Sequence, residues 1–238
     1  MNNKIIVFSS IKGGVGKTQL CATYATLLVE CNYPVYVIDA DIQQSLSRHR
    51  DRDLEAHPNA DVPWNVHFLD TSDIDNVKDI IRQAKRFESL ILIDCPGNIN
   101  DPALQYIYEA ADVAVVPMEY NADVVDATVM FGEVLKKNYF QSKRKRIFFV
   151  PNKVSAIWEK QGAVRKARED AYEHLIEKKH LGWITPEIRM TTLMNGYSTL
   201  DPLGYEKRKV VRDSIAPIIK YCSFKHRHIK NFLSKFLI

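Results

Sequence analysis

Apolar, β-branched runs alternate along the chain with longer stretches whose apolar positions recur at helical spacing. The runs from Lys4 to Ser9, Val35 to Asp39, Asn65 to Leu69, Leu90 to Asp94, Val113 to Pro117 and Arg146 to Val150 predict strands, with a shorter one at Gly182 to Thr185. Between them, Thr18 to Glu30, Ile74 to Arg86, Pro102 to Ala111, Ala122 to Lys137, Val164 to Lys179 and Tyr205 to Tyr221 predict helices. This alternation predicts an α/β fold with a mostly parallel twisted sheet and helices on both faces. No internal repeat, low-complexity tract or linker interrupts it, so a single domain over residues 1–238 is expected. Ligands of such sheets sit outside the carboxyl ends of the strands, so the polar residues closing each run are where chemistry is to be sought.

The first run leads into Ile11 to Thr18, IKGGVGKT, and then into a helical pattern. The stretch reads as a phosphate cradle. Gly13, Gly14 and Gly16 let successive backbone N–H groups, including that of Val15, turn inward; the helix start adds positive potential and Lys17 a mobile cation. Thr18 offers a hydroxyl to magnesium. The usual GxxxxGK[ST] pattern is not met, because Ile11 stands at its first glycine while Lys12 opens the loop.

The second run ends Asp39-Ala40-Asp41, two carboxylates two residues apart. Asp41 either caps a turn or, beside a phosphate cradle, orients an attacking water. The fourth run ends Asp94-Cys95-Pro96-Gly97, and the sixth is followed by Pro151-Asn152-Lys153.

Composition narrows the class. At 46% hydrophobic and 26% charged, the 238 residues match a folded globular protein. The four cysteines, Cys21, Cys31, Cys95 and Cys222, show no CxxC spacing and are expected as reduced, buried small hydrophobes. No secretion signal opens the chain and no apolar run reaches spanning length, so a cytoplasmic location is expected. The net charge of +4 is uneven: from Tyr205 onward nine Lys/Arg face two acids, net +7, whereas residues 1–204 carry 24 against 27, net −3.

KGGVGKT resembles the deviant Walker A motif of the ParA/MinD family of P-loop NTPases, and the resemblance runs from Lys4 to about Gly204. It implies an ATPase that uses ATP and Mg2+, with residues 12–19 around the phosphates and Lys12 reaching across an ATP-dependent homodimer to the partner's nucleotide. DADIQQS resembles the family's DxDPQxS element, which implies that Asp41 positions the water and Asp39 lies near the magnesium shell; Ile42 replaces the family's proline. Leu90 to Gly97 resembles a Walker B strand with Asp94 holding magnesium through a water and a switch loop starting at Pro96-Gly97. Asn152 matches an asparagine that pairs with the adenine edge, although an asparagine in a turn after a strand fits the residues equally well. Residues 183–188 resemble the segment whose backbone flanks the base. Gln19 departs from a Ser or Thr that touches the α-phosphate, leaving that contact to backbone N–H groups. The wording of DADIQQS is nearer to small plasmid-partition ParA proteins than to MinD, and one strand before the loop leaves no room for the DNA-reading domain of larger members.

The basic end has two readings. Lys207, Arg208, Lys209 and Arg212, with Lys220, Lys225, Arg227, Lys230 and Lys235, form either a solvated helix face or a phosphate-directed contact with nonspecific DNA, as ParA-like members make when ATP-bound subunits pair. The Lys143 to Arg146 stretch reads as a solvated loop. In HIKNFLSKFLI the residues Ile229, Phe232, Leu233, Phe236 and Leu237 share one helical face, so residues 227–238 are read as docked on the core, bound to a membrane surface, or bound to a partner. Two functions follow: a nucleoid-associated DNA-partition ATPase stimulated by a ParB-like partner, or a MinD-like or conjugation-associated nucleotide-gated recruitment protein.

Overall fold

Strand β1 (Lys4–Phe8) lies at the centre of a seven-stranded sheet of order β3-β2-β4-β1-β5-β6-β7, in a computed structural model that describes residues 3–98, 101–155, 162–194 and 196–222. The other strands are β2 (Val35–Asp39), β3 (Asn65–Phe68), β4 (Leu90–Asp94), β5 (Val113–Met118), β6 (Arg146–Pro151) and β7 (Trp183–Ile184), and every pairing is parallel. The helices are α1 (Lys17–Glu30), α2 (Ser45–Ala56), α3 (Ile74–Ala84), α4 (Pro102–Ala110), α5 (Ala122–Asn138), α6 (Gly162–Lys178) and α7 (Gly204–Tyr221).

Parallel strands joined by helical crossovers must bury both faces, and the period-two geometry of a strand sorts their side chains into two cores. Ile6 and Phe8 of β1, Leu90 and Leu92 of β4, and Phe148 and Val150 of β6 pack under α1 and α7. Their neighbours Ile5, Val7, Ile91, Ile93, Ile147 and Phe149 pack on the opposite face under α3, α4 and α5. Between α1 and α7 the buried Tyr24 hydroxyl meets Ser214 Oγ at 2.7 Å, and the Arg208 guanidinium pairs with Glu30 at 3.0 Å. All four cysteines are free and buried, as expected.

The predicted strands and six of the helices form within a few residues of their expected limits. Helix α2 was not foreseen, because SLSRHRDRDLEA buries only Leu46 and Arg50 and so shows no apolar stripe. Arg50 takes the place of a hydrophobic residue. Its guanidinium donates to Trp64 O at 2.8 Å, Thr199 Oγ1 at 2.8 Å and Thr199 O at 3.0 Å, and lies 4.3 Å from the Trp64 ring centroid. The Asp53 carboxylate accepts from the N–H and hydroxyl of Thr199, both at 2.7 Å, so α2 is fastened to the segment leading into α7.

The Lys143 to Arg146 stretch is also more than a solvated loop. Lys145 Nζ donates to Tyr108 O and Glu109 O, at 3.1 and 2.7 Å, satisfying carbonyls at the end of α4. The Arg146 guanidinium lies between the Trp183 and Tyr221 rings, 4.5 and 4.9 Å from their centroids. The amphipathic stretch 227–238 and Lys225 lie outside the described residues. No helix among the described residues is long and apolar enough to cross a membrane.

Arg50→Met should leave the two buried carbonyls unpartnered and lower unfolding stability by about 2–4 kcal/mol, with Arg50→Lys losing less. Urea denaturation would measure this, and an unchanged midpoint for Arg50→Met would show that this network does not hold α2.

Candidate functional site

The loop after β1 sits where the sheet brings three strand ends together. Phe8 is in register with Asp94, and Asp94 with Asp39, so two carboxylates from distant parts of the sequence lie on adjacent strands at the carboxyl edge, beside the glycine loop. Gly97, just beyond β4, packs under that loop: a Cβ built on it would lie 3.4 Å from Ser10 O and 3.9 Å from Lys17 Nζ.

Gly14 and Gly16 hold φ of 77° and 93°, the left-handed region where a glycine is needed to turn the chain into α1. Gly16 occupies the N-cap and offers no side chain, and the first turn of α1 contains no acid. None of the N–H groups from Gly13 to Gln19 makes a hydrogen bond of normal geometry to another described residue. A row of such donors, with the helix dipole behind it, is an anion site. Lys17 stands at its base, near enough to Asp94 for its charge to favour the carboxylate form there. Lys12 is half-buried, its N–H 3.3 Å from Ser10 Oγ, and no acid holds its ammonium among the described residues.

Asp94 is wholly buried, and neither carboxylate oxygen has a hydrogen-bond partner of normal geometry. Burial pushes its pKa up, with further upward pressure from Asp39 and Asp41; the nearby Thr18 hydroxyl and Lys17 pull it down, and the balance stands at about 7. A buried, unpartnered carboxylate beside a threonine hydroxyl fits a metal-bound water. No group of three or more His, Cys, Asp or Glu among the described residues could hold a metal unaided, so water and phosphate oxygens would supply the remaining ligands, as magnesium commonly requires.

Asp39 has a structural task beside the one the resemblance implies. One carboxylate oxygen accepts from Ser47 N at 2.8 Å and the other from Asp41 N at 3.3 Å, so it stands in for the missing cap at the start of α2, where Gln44 contributes no side chain. Burial raises its pKa against these two hydrogen bonds. Asp41 accepts from Gln43 N at 3.0 Å, the turn reading, while standing at the mouth of the site.

Two further side chains have defined partners. The Gln19 amide donates to Met194 O, tying α1 to the 3-10 turn Thr192–Met194, so its side chain is committed away from a phosphate and only its N–H remains for one. Asn152 is buried and its amide donates to Val15 O at 2.8 Å, inside the glycine loop. Lys153, which the motif reading passed over, donates from Nζ to Gly14 O and pairs with Glu119 at 3.2 Å. Its only sequence signal is its place next to Asn152 at a strand end.

Comparison with known proteins bears on the fold and the family. No curated protein matches the chain by sequence at a significant level. Among solved structures, a putative plasmid partition protein of Borrelia burgdorferi bound to AMPPNP is 19% identical, covering 92% of this chain and 99% of its own with a TM-score of 0.65. The septum site-determining protein MinD of Pyrococcus horikoshii, complexed with Mg-ADP, is 19% identical over 93% of this chain and 98% of its own, TM-score 0.65. A chain of the Aquifex aeolicus MinC:MinD cell division protein complex is 18% identical, covering 91% of this chain and 96% of its own, TM-score 0.66. At these identities the likeness establishes the fold. The family model for the CobQ/CobB/MinD/ParA nucleotide binding domain matches residues 6–184, three-quarters of the sequence, and the chain belongs to that family.

Proposed function

We propose that this chain is an ATP- and Mg2+-dependent ATPase switch of the partition type, which pairs into a homodimer around ATP, binds nonspecific DNA and is reset by a ParB-like partner. The observation that carries the nucleotide reading is the row of unpartnered N–H groups from Gly13 to Gln19, facing the same strand ends as the unpartnered Asp94 carboxylate. The Thr18 hydroxyl and, through water, Asp94 would hold magnesium, which neutralises phosphate charge when bound. Lys17 balances the negative charge of the transferring phosphoryl group, Asp41 orients water at the mouth, and Lys12 serves the second subunit's phosphates, so catalysis is positioning and electrostatics.

The partition reading draws on DADIQQS and on the basic end of the chain. Within α7, Lys207 donates to Gly196 O at 3.0 Å and Arg208 pairs with Glu30, so Lys209 and Lys220 are the exposed cations there. A second reading, nucleotide-gated recruitment to a membrane surface or partner, is favoured by the one-faced apolar pattern of residues 227–238.

Lys17→Ala should abolish magnesium-dependent ATP binding, whereas Lys12→Ala should leave monomer binding within about twofold and impair ATP-dependent dimerisation; titration calorimetry and light scattering would measure the two. Unchanged ATP affinity in Lys17→Ala would sink the nucleotide reading.

A carboxyl whose pKa is about 7 folded and 3.8 unfolded binds more protons in the folded state between those values. That contribution to the metal-free protein's stability is fully present below 3.8 and is lost as pH rises through 7. Asp94→Asn, uncharged throughout, should melt several degrees higher than wild type at about pH 8, flatten the pH dependence between about pH 4 and 7, and lose the magnesium dependence of ATP affinity. Thermal melts of the metal-free proteins would check this, and an unaltered pH slope would rule out the buried Asp94 charge as its cause.

The two outputs separate in a paired experiment. ATP-dependent, salt-sensitive retardation of DNA supports partition, while ATP-dependent liposome flotation lost on deleting residues 227–238 supports recruitment.

A further inference from the structure

The glycine loop is gripped from outside by residues that belong to neither β1 nor α1. Met118 and Pro151 are register partners at the ends of β5 and β6, and Asn152 N donates to Met118 O at 2.7 Å, so Glu119 and Lys153 leave the sheet side by side. Lys153 then adopts φ of 55°, a left-handed conformation that a side-chain-bearing residue takes at a cost. From there Lys153 Nζ reaches Gly14 O while Glu119 Oε1 holds the same ammonium at 3.2 Å. One residue earlier, Asn152 Nδ2 donates to Val15 O at 2.8 Å. The fit is close: a Cβ added at Gly16 would come within 2.5 Å of that amide nitrogen.

In a trans peptide the carbonyl of one residue and the N–H of the next point in opposite directions. Holding the carbonyls of Gly14 and Val15 toward β6 therefore turns the N–H groups of Val15 and Gly16 away from it, into the loop. We propose that Asn152 and Lys153 form a two-point clamp whose task is to orient these phosphate-binding N–H groups, making them positioning residues for the cradle. The inference rests on the nucleotide reading and assigns Asn152 to the phosphate end of the ligand, where the family resemblance would put it at the base. Glu119 completes the clamp by fixing the ammonium, which would otherwise swing into solvent on its four-carbon stem.

The clamp is tested by titrating the full-length protein with magnesium ATP and, separately, with magnesium tripolyphosphate, which has the phosphates without base or sugar. Lys153→Met and Asn152→Ala should each weaken both ligands by the same factor, roughly tenfold, because what is lost is the arrangement of the N–H groups. Lys153→Arg should recover most of the affinity, and thermal melts should show Lys153→Met folded as stably as wild type. If Asn152→Ala weakens ATP alone, or if Lys153→Met binds both ligands as wild type does, the clamp is overturned while the nucleotide reading stands. If the wild-type protein binds neither ligand, both fall together.

Discussion

Parallel pairing of β2, β4 and β1 is the constraint on which the rest of the site depends. It places Asp39, Asp94 and Phe8 in one register row, 55 residues apart in sequence between the two acids, and sets the turn after Phe8 beside both. Hydrogen bonding of this kind requires both faces of the sheet to be covered. The two apolar layers supply the cover, and they also bury Asp94 so completely that its oxygens lack a hydrogen bond of normal geometry and only Lys17 and Thr18 nearby favour its charge. Stability and site chemistry are opposed at that residue: the packing that makes the strand is what makes the carboxylate costly until a cation or proton arrives.

The strands were legible because apolar, β-branched runs of five or six residues leave few alternatives, and the cradle because its glycines, lysine and threonine fall between a strand and a helix. Side-chain assignments fared differently. The resemblance sets Asp39 near the magnesium shell, and what it did not reveal is that a carboxylate at a strand end preceding an uncapped helix also accepts two N–H groups. The resemblance brought Gln19 and Asn152 near the ligand, Gln19 through its N–H alone, and the structure gives their side-chain amides to backbone carbonyls of Met194 and Val15. Spacing fixes which strand end a residue occupies. It does not say which unsatisfied backbone group lies within reach of a flexible amide.

Helix α2 illustrates the same limit from the other side. Periodicity detects helices by their apolar stripe, and Arg50 breaks the stripe while still filling a core position. A buried guanidinium is tolerable only when its donors are matched, and Trp64 O, Thr199 O and Thr199 Oγ1 match them. None of those partners lies within ten residues of Arg50, so nothing local could have revealed the helix.

The loop bearing Asp41 gains its definition from these two features acting at its ends. Asp39 holds the backbone at Asp41 and at Ser47, closing residues 40–46 into a turn across a single carboxylate, with Gln44 at φ of 52° bending the chain into α2. Arg50 and Asp53, one and two turns further along α2, then fix that helix to Thr199. Rotation of α2 would have to break a charge-assisted contact at each end, so the backbone of the loop is set by the sheet and by the segment before α7 together. Between those anchors the outer part of the loop is itself a turn, with Gln44 N donating to Asp41 O at 2.8 Å and Gln43 N to the Asp41 carboxylate at 3.0 Å, while Ile42 is 72% exposed. The family proline is absent at position 42, yet the loop does not depend on a fixed φ there. Its two ends are tied by N–H groups that donate to one buried acid, which restricts the intervening residues as a ring closure does.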